Sequence, residues 1–339
     1  MAASDTPAIS LALQGGGAHG AFTWGVLDAL LEAGIDRFDG VSGTSAGSMN
    51  ALCLAHGLMV GGAEGARQAL AGFWHAIADS APFPASDGVA PAVKLMLQWT
   101  QYLTPEQINP LDLNPLRDVL ESQFDFARLR RDCPVKLFIA ATHANSGKLR
   151  LFRNAELSAD TLLASACLPT IHRTIHIDGE PYWDGGYSAN PAVFPLFYEC
   201  ESADILLVLL TPLRYSETPD SAEDIRVRLR ELAFNSTFLR EMRMFAHLRE
   251  QIGSSPIPDW VLDRLPLARV ERRLSRLRFH AVSADTVLGE MPADSKLNVS
   301  HEFFAELFAV GRAHAQRWLA AHRDDLGRNP TLDLARLFY

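Results

Sequence analysis

Twice within its first 60 residues the chain runs from a short apolar strand, through a glycine turn, into a helix. Ile9 to Leu13 is an apolar run that ends at Gln14 and Gly15-Gly16-Gly17, and it reads as a buried strand. Ala18 to Ala33 carries Phe22, Val26, Leu27, Leu30 and Leu31 at helical spacing and stops at Gly34. Phe38 to Ser42 is a second strand, and Ser45 to Leu58 a helix rich in small residues. A strand–helix–strand–helix order of this kind closes as a parallel sheet with helices on its faces, so the class is α/β.

Further along, Val135 to Thr142 is a strongly apolar strand with Leu149 to Phe152 as its hairpin partner. Ala159 to Cys167 is a small-residue helix, and Ile205 to Leu210 another buried strand. Residues 223–252 form the longest helical pattern, with Ile225, Leu229, Leu232, Phe238, Met242, Phe245, Leu248 and Ile252 as its apolar positions. Arg278 to Val282 is a strand and His301 to His322 a last amphipathic helix. This divides the chain into a core over 1–211 and a mainly helical extension over 212–339 that packs on it. Within the core, prolines recur through 79–116 and mark an insertion on the rim of the sheet.

Composition excludes several classes. Of 339 residues, 48% are hydrophobic, too many for a disordered chain. The formal net charge of -9 repels nucleic acid, so no nucleic-acid partner is expected. Cys53, Cys133, Cys167 and Cys200 show no CxxC spacing and read as buried thiols of a reducing compartment. Met1 to Pro7 has no basic start and no apolar run, and no apolar stretch approaches the ~18 residues of a membrane span. The expected location is cytoplasmic.

Three segments carry chemistry. Gly43-Thr44-Ser45-Ala46-Gly47 is a G-x-S-x-G between a strand and a helix. A chain turning that sharply brings the positions flanking the serine so close that only glycine fits. The serine hydroxyl then projects at a helix N-terminus, where negative charge is favoured. Gly15-Gly16-Gly17-Ala18-His19-Gly20 follows the first strand and leaves its amides open to an anion. That nest suits an oxyanion hole or, through Gly15, Gly17 and Gly20, a dinucleotide pyrophosphate. A dinucleotide site needs an acid at the tip of the second strand. Asp39 lies inside that strand and the tip carries Ser45, which favours the oxyanion reading. Asp184-Gly185-Gly186 is the third segment, a tight turn that aims a carboxylate. His143, His172 and His176 lie near these segments in sequence and leave a serine–histidine–acid triad open.

Together with Ala164-Ser165-Ala166-Cys167-Leu168-Pro169, the three segments resemble the patatin-like phospholipases in order and spacing, over about residues 8–211. The resemblance implies a three-layer α/β/α sandwich with a mostly parallel central sheet, followed here by the helical extension. It implies a Ser–Asp dyad in place of a triad, with Ser45 as nucleophile, Asp184 as general base and the amides of Gly15, Gly16 and Gly17 as the oxyanion hole. Gly20, Gly43, Gly47, Gly185 and Gly186 complete the motifs. Two positions depart from the family pattern: His19 stands where arginine or lysine is commoner, and Gly186 where many members have alanine.

The expected function is therefore serine-dependent lipid acyl hydrolysis of the phospholipase A or lysophospholipase type. No metal or other cofactor is called for. The alternatives are another hydrophobic ester (neutral lipid, thioester or storage polyester), a nucleotide-binding module built on the glycine turn, or a catalytically silent interaction protein. The insertion carries Phe83, Leu95, Leu97, Trp99, Tyr102 and Leu103 and is expected to act as a lid or an acyl-chain wall, with some of these side chains lining a pocket that reaches Ser45. The 223–252 helix, with arginines at 226, 228, 230, 240, 243 and 249, is a candidate for peripheral membrane contact or for a homodimer contact.

Overall fold

The computed structural model describes residues 7–80, 104–215, 217–253, 269–289 and 291–339. The Phe83–Leu103 part of the expected acyl wall lies outside these residues. Eight strands form one sheet: β1 (Ile9–Leu13), β2 (Phe38–Thr44), β3 (Lys136–His143), β4 (Leu149–Arg153), β5 (Ile175–Ile177), β6 (Glu180–Asp184), β7 (Asp204–Leu209) and β8 (Arg278–Ser283). β3, β2, β1, β7 and β8 run parallel in that order. β4, β5 and β6 are antiparallel additions.

Helices cover both faces. α1 (Gly20–Glu32), α2 (Ala46–Asp79), α3 (Ala159–Ser165) and α5 (His301–His322) pack on one, and α4 (Ala222–Gly253) on the other. Strand β7 shows why its sequence reads as an unbroken apolar run. Leu206 and Val208 enter the first core while Ile205, Leu207 and Leu209 enter the second. A strand buried on both faces loses the polar alternation of a half-exposed one.

Two expectations need correcting. The helix read as ending at Leu58 continues to Asp79, which is also where the insertion was read as starting. It bends at Gly61-Gly62, where Gly62 adopts a φ of 63°, and the helix resumes because Ala66, Leu70, Phe73 and Trp74 supply a second buried face. The apolar positions of α4 also do not form one stripe. Phe238, Met242 and Phe245 are buried against the sheet, while Ile225, Leu229 and Leu232 are exposed. Leu229 and Phe238 are nine residues apart, which at ~100° per residue places them half a turn out of phase.

The 212–339 extension contributes β8 to the sheet, and its α5 packs along α1. Gly25 and Gly311 make that contact close, since a Cβ on Gly311 would lie 2.1 Å from the Phe22 carbonyl oxygen. Asp28 of α1 ties the layer together through Arg67 of α2, at 2.7 Å, and Arg312 of α5. No described helix is long and apolar enough to cross a membrane.

Candidate active site

Everything chemical gathers at the C-terminal edge of the parallel strands. Leu13 of β1 pairs with Gly43 of β2, so the glycine turn and the G-x-S-x-G leave the sheet side by side. Ser45 takes φ 53° and ψ −123° at the start of α2. That left-handed backbone is unusual for a residue with a Cβ and is held by its surroundings. A Cβ on Gly43 would lie 2.5 Å from the Gly47 carbonyl oxygen, and one on Gly47 only 2.2 Å from that of Leu13. Both contacts are with backbone, which has nowhere to move, and this is the steric requirement the motif implied.

β6 brings the acid. Ala140 of β3 pairs with Thr44 on one edge and Leu151 on the other, and Ala141 with Asp184 and Arg150. β4 therefore occupies one edge of β3, and β2 and β6 share the other end to end. Where the serine turn diverts the chain out of the sheet, β6 takes its place, and Thr44 and Asp184 sit opposite successive residues of β3. The last residue of α3 and the segment that follows it hold both sides. Ser165 Oγ accepts the Ser45 amide at 3.0 Å, and the Cys167 carbonyl accepts the Asp184 amide at 2.8 Å.

The Asp184 side chain is buried, only 1% exposed. Burial pushes its pKa up to about 7, against the Gly186 amide, which donates to Oδ1 at 2.7 Å, and the Ser45 hydroxyl, both of which favour the carboxylate. Desolvation wins, a balance that the residue types alone leave open. The group is poised to exchange a proton near neutral pH. All eleven histidines lie among the described residues, and none hydrogen-bonds to Ser45 or Asp184. His143 is occupied by Ser146 and Glu180, His172 by the Leu168 amide, and His176 is exposed on β5.

The three glycine amides are not equivalent. Gly15 lies against Ser45 and donates to Asn190 Oδ1 at 2.7 Å. Its amide is committed within the fold, which removes it from the expected set of oxyanion donors. Gly16 and Gly17 have no hydrogen-bond partner for their amides among the described residues, and both are at least partly open to solvent. Gln14 supports this turn from beneath. Its Oε1 accepts the amides of Leu210 and Thr211 at 2.6 and 2.8 Å, and its Nε2 donates to the Asn190 carbonyl and to Asn235 Oδ1, both at 3.3 Å.

His19 packs away from the chemistry. Nε2 bonds Ser295 Oγ at 2.7 Å, and burial, then Lys296, lower its pKa to about 4. The imidazole is neutral at physiological pH, so this position supplies no cation to an anionic group. Asp39, the acid of the dinucleotide alternative, lies at the opposite edge of the sheet. It binds Lys136 Nζ at 3.1 Å and the amides of Glu201 and Ser202.

Several supporting residues escaped the sequence reading. Asn190 follows the third motif as an Asn-Pro and had a local signal; Asn235 and Phe234 sit mid-helix and had none. Phe234 explains the second departure. A Cβ on Gly186 would lie 2.2 Å from its ring. Gly186→Ala is expected to destabilise the protein by roughly 1–3 kcal/mol through overpacking. In a Phe234→Ala background the same change should cost less, a coupling that chemical denaturation of the four variants would measure. Additive effects would mean the ring does not set the choice of glycine.

No curated protein sequence matches the chain. Among solved structures, VipD from Legionella pneumophila is similar at 17% identity over 93% of this chain and 67% of that chain, with a TM-score of 0.45. A chain of the full-length SpcU–ExoU complex from the type III secretion system of Pseudomonas aeruginosa is similar at 16% identity over 96% of this chain and 80% of that chain, with a TM-score of 0.31. The sequence model of the patatin-like phospholipases matches residues 11–197, more than half of the chain. That match contains the glycine turn, the serine turn and the Asp-Gly-Gly turn, and the chain belongs to the patatin-like phospholipase family.

Proposed function

We propose that the protein is a lipid acyl hydrolase of the phospholipase A or lysophospholipase type, working through Ser45 and Asp184. The observation that carries this is the pairing of a strained, partly exposed serine with a buried carboxyl poised near pH 7, beside two unpartnered amides. Ser45 Oγ attacks the acyl carbonyl carbon and its proton passes to the Asp184 carboxylate. The amides of Gly16 and Gly17 receive the charge that develops on the carbonyl oxygen, each worth about 10²–10³ in rate where such donors have been removed. The start of α2 adds its dipole. As the tetrahedral species collapses, the carboxyl returns the proton to the departing alcohol and leaves an acyl-Ser45 ester. Asp184 then takes a proton from the water that attacks that ester and returns it to Ser45 Oγ as the fatty acid departs.

Gly15 holds the turn in this scheme and donates nothing to substrate. The position of Asp39 gives the nucleotide-binding alternative no support. Labelling with a fluorophosphonate probe tests the reading. A labelled band is expected for the wild type and none for Ser45→Ala; equal labelling of both would reject Ser45 as the nucleophile.

A further inference from the structure

The first three turns of α4 are built inside out. Ile225, Leu229 and Leu232 are 41%, 60% and 51% exposed, while the polar Glu231 and Asn235 of the same stretch turn inward. Burial drives helix amphipathicity the other way unless the apolar face has an occupant. The stretch lies at the catalytic edge, because α4 leaves the C-terminal end of β7 and runs back across the sheet. Phe234 packs on Gly186, two residues after Asp184, and its ring meets that of the partly exposed Tyr187 at a tilt of 55° with centroids 4.5 Å apart. Ile225, Leu229 and Leu232 lie roughly 140–180° round the helix from Phe234, on the side away from that turn.

Charge identifies the occupant. Between Ile225 and Arg243 the exposed charged side chains of α4 are Arg226, Arg230, Arg240 and Arg243. The acids of that stretch point into the protein: Glu231 holds Lys296 at 3.0 Å, and Glu241 accepts the Val193 and Phe194 amides. Arg228 is likewise turned in, 3.3 Å over the Tyr215 ring. Asp224 is exposed beside Ile225 at the start of the helix, and beyond it the exposed charges flanking the apolar strip are arginines, an arrangement complementary to acyl chains beneath anionic headgroups.

We infer that the N-terminal half of α4 docks the protein on an anionic lipid surface, with Ile225, Leu229 and Leu232 entering the acyl boundary and Arg226 and Arg230 at the headgroups. The choice of lipid as occupant rests on the acyl-hydrolase reading.

Vesicle cosedimentation tests this, with the full chain carrying Ser45→Ala so that no lipid is consumed. Binding is expected to equimolar phosphatidylcholine–phosphatidylglycerol vesicles and to be much weaker to phosphatidylcholine alone. Ile225→Glu with Leu229→Glu, and separately Arg226→Glu with Arg230→Glu, should each lower partitioning roughly tenfold or more. All four side chains are solvent-exposed, or nearly so, and outside the catalytic cluster. With Ser45 intact, both double variants should keep wild-type fluorophosphonate labelling. Absence of wild-type binding, or variants that bind as wild type does, would overturn the inference. So would a solution dimer that the glutamate variants dissociate, since the face would then belong to a second copy. Vesicle binding without Ser45 labelling would leave docking standing and remove the hydrolase reading; labelling without vesicle binding would do the reverse.

Discussion

Asp184→Asn is expected to lower kcat/KM for ester hydrolysis by about 10²–10⁴-fold, the range a positioned general base contributes, and at the same time to stabilise the protein at pH 8. Both effects follow from one buried carboxyl whose pKa is raised to about 7. In the proposed mechanism only the carboxylate accepts the Ser45 proton. Wild-type kcat/KM should therefore climb with pH and level off above about 7. The stability effect runs the opposite way. An unfolded aspartate releases its proton near pH ~4, whereas the folded one keeps it until about pH 7. Between those values the unfolded chain binds fewer protons, so each unit of rising pH lowers wild-type stability by up to ~1.4 kcal/mol.

Asparagine cannot ionise, and its carbonyl can still accept the Gly186 amide. The thermal advantage of the variant should be near zero at pH 4, grow toward pH 7 and then stay constant. Melting temperatures across that range, with initial rates on a soluble ester, check both halves. A wild-type rate profile that is flat from pH 5 to 8 would remove Asp184 as the base, and an advantage that fell with rising pH would contradict its burial as a neutral acid.

Gln14→Leu is the second change with a large expected effect. Gln14 is fully buried and its side chain has four polar contacts. Leucine fills similar space but leaves the amides of Leu210 and Thr211 without an acceptor, at about 1–3 kcal/mol each. The unfolding free energy should fall by roughly 2–5 kcal/mol. The catalytic effect should be separable from this. Asn190 is held by Gln14 and in turn holds the Gly15 amide, so loosening it lets the Gly16 and Gly17 amides wander from the transition-state oxygen. A loss of about 10² or more in kcat with little change in KM is the signature of a contact made only in the transition state. Rates measured well below the melting temperature, with the folded fraction checked by circular dichroism, separate the two. A variant that melts earlier but turns over normally would confine Gln14 to a stabilising role.

Much of the fold was legible because it is locally encoded. The strand at Ile9–Leu13 and the helix at His301–His322 appear with the predicted bounds, since apolar period and glycine punctuation act within a few residues. Part of the serine turn was legible for the same reason, since Gly43 must clear the Gly47 carbonyl four residues on, whereas Gly47 is fixed by the Leu13 carbonyl of the neighbouring strand. The orientation of the α4 apolar positions was not. Periodicity records that Leu229 and Phe238 are apolar, but small departures in spacing accumulate along a helix and carry one set to the opposite face. Nor did composition reveal that Gly15 spends its amide on Asn190, a contact made 175 positions away.

The chain itself determined which residues the proposed acyl chemistry draws on: a serine that glycines force into a projecting turn, a carboxyl followed by two glycines, and a run of glycine amides. Only the tertiary structure decided that β6 would continue the line of β2 along the same edge of β3, which sets the carboxyl beside the hydroxyl. Strand pairing is made by backbone groups that almost every residue carries, so it leaves little trace in side-chain identity. The depth of burial that lifts Asp184 to about 7 is likewise a property of the assembled layers and not of the aspartate.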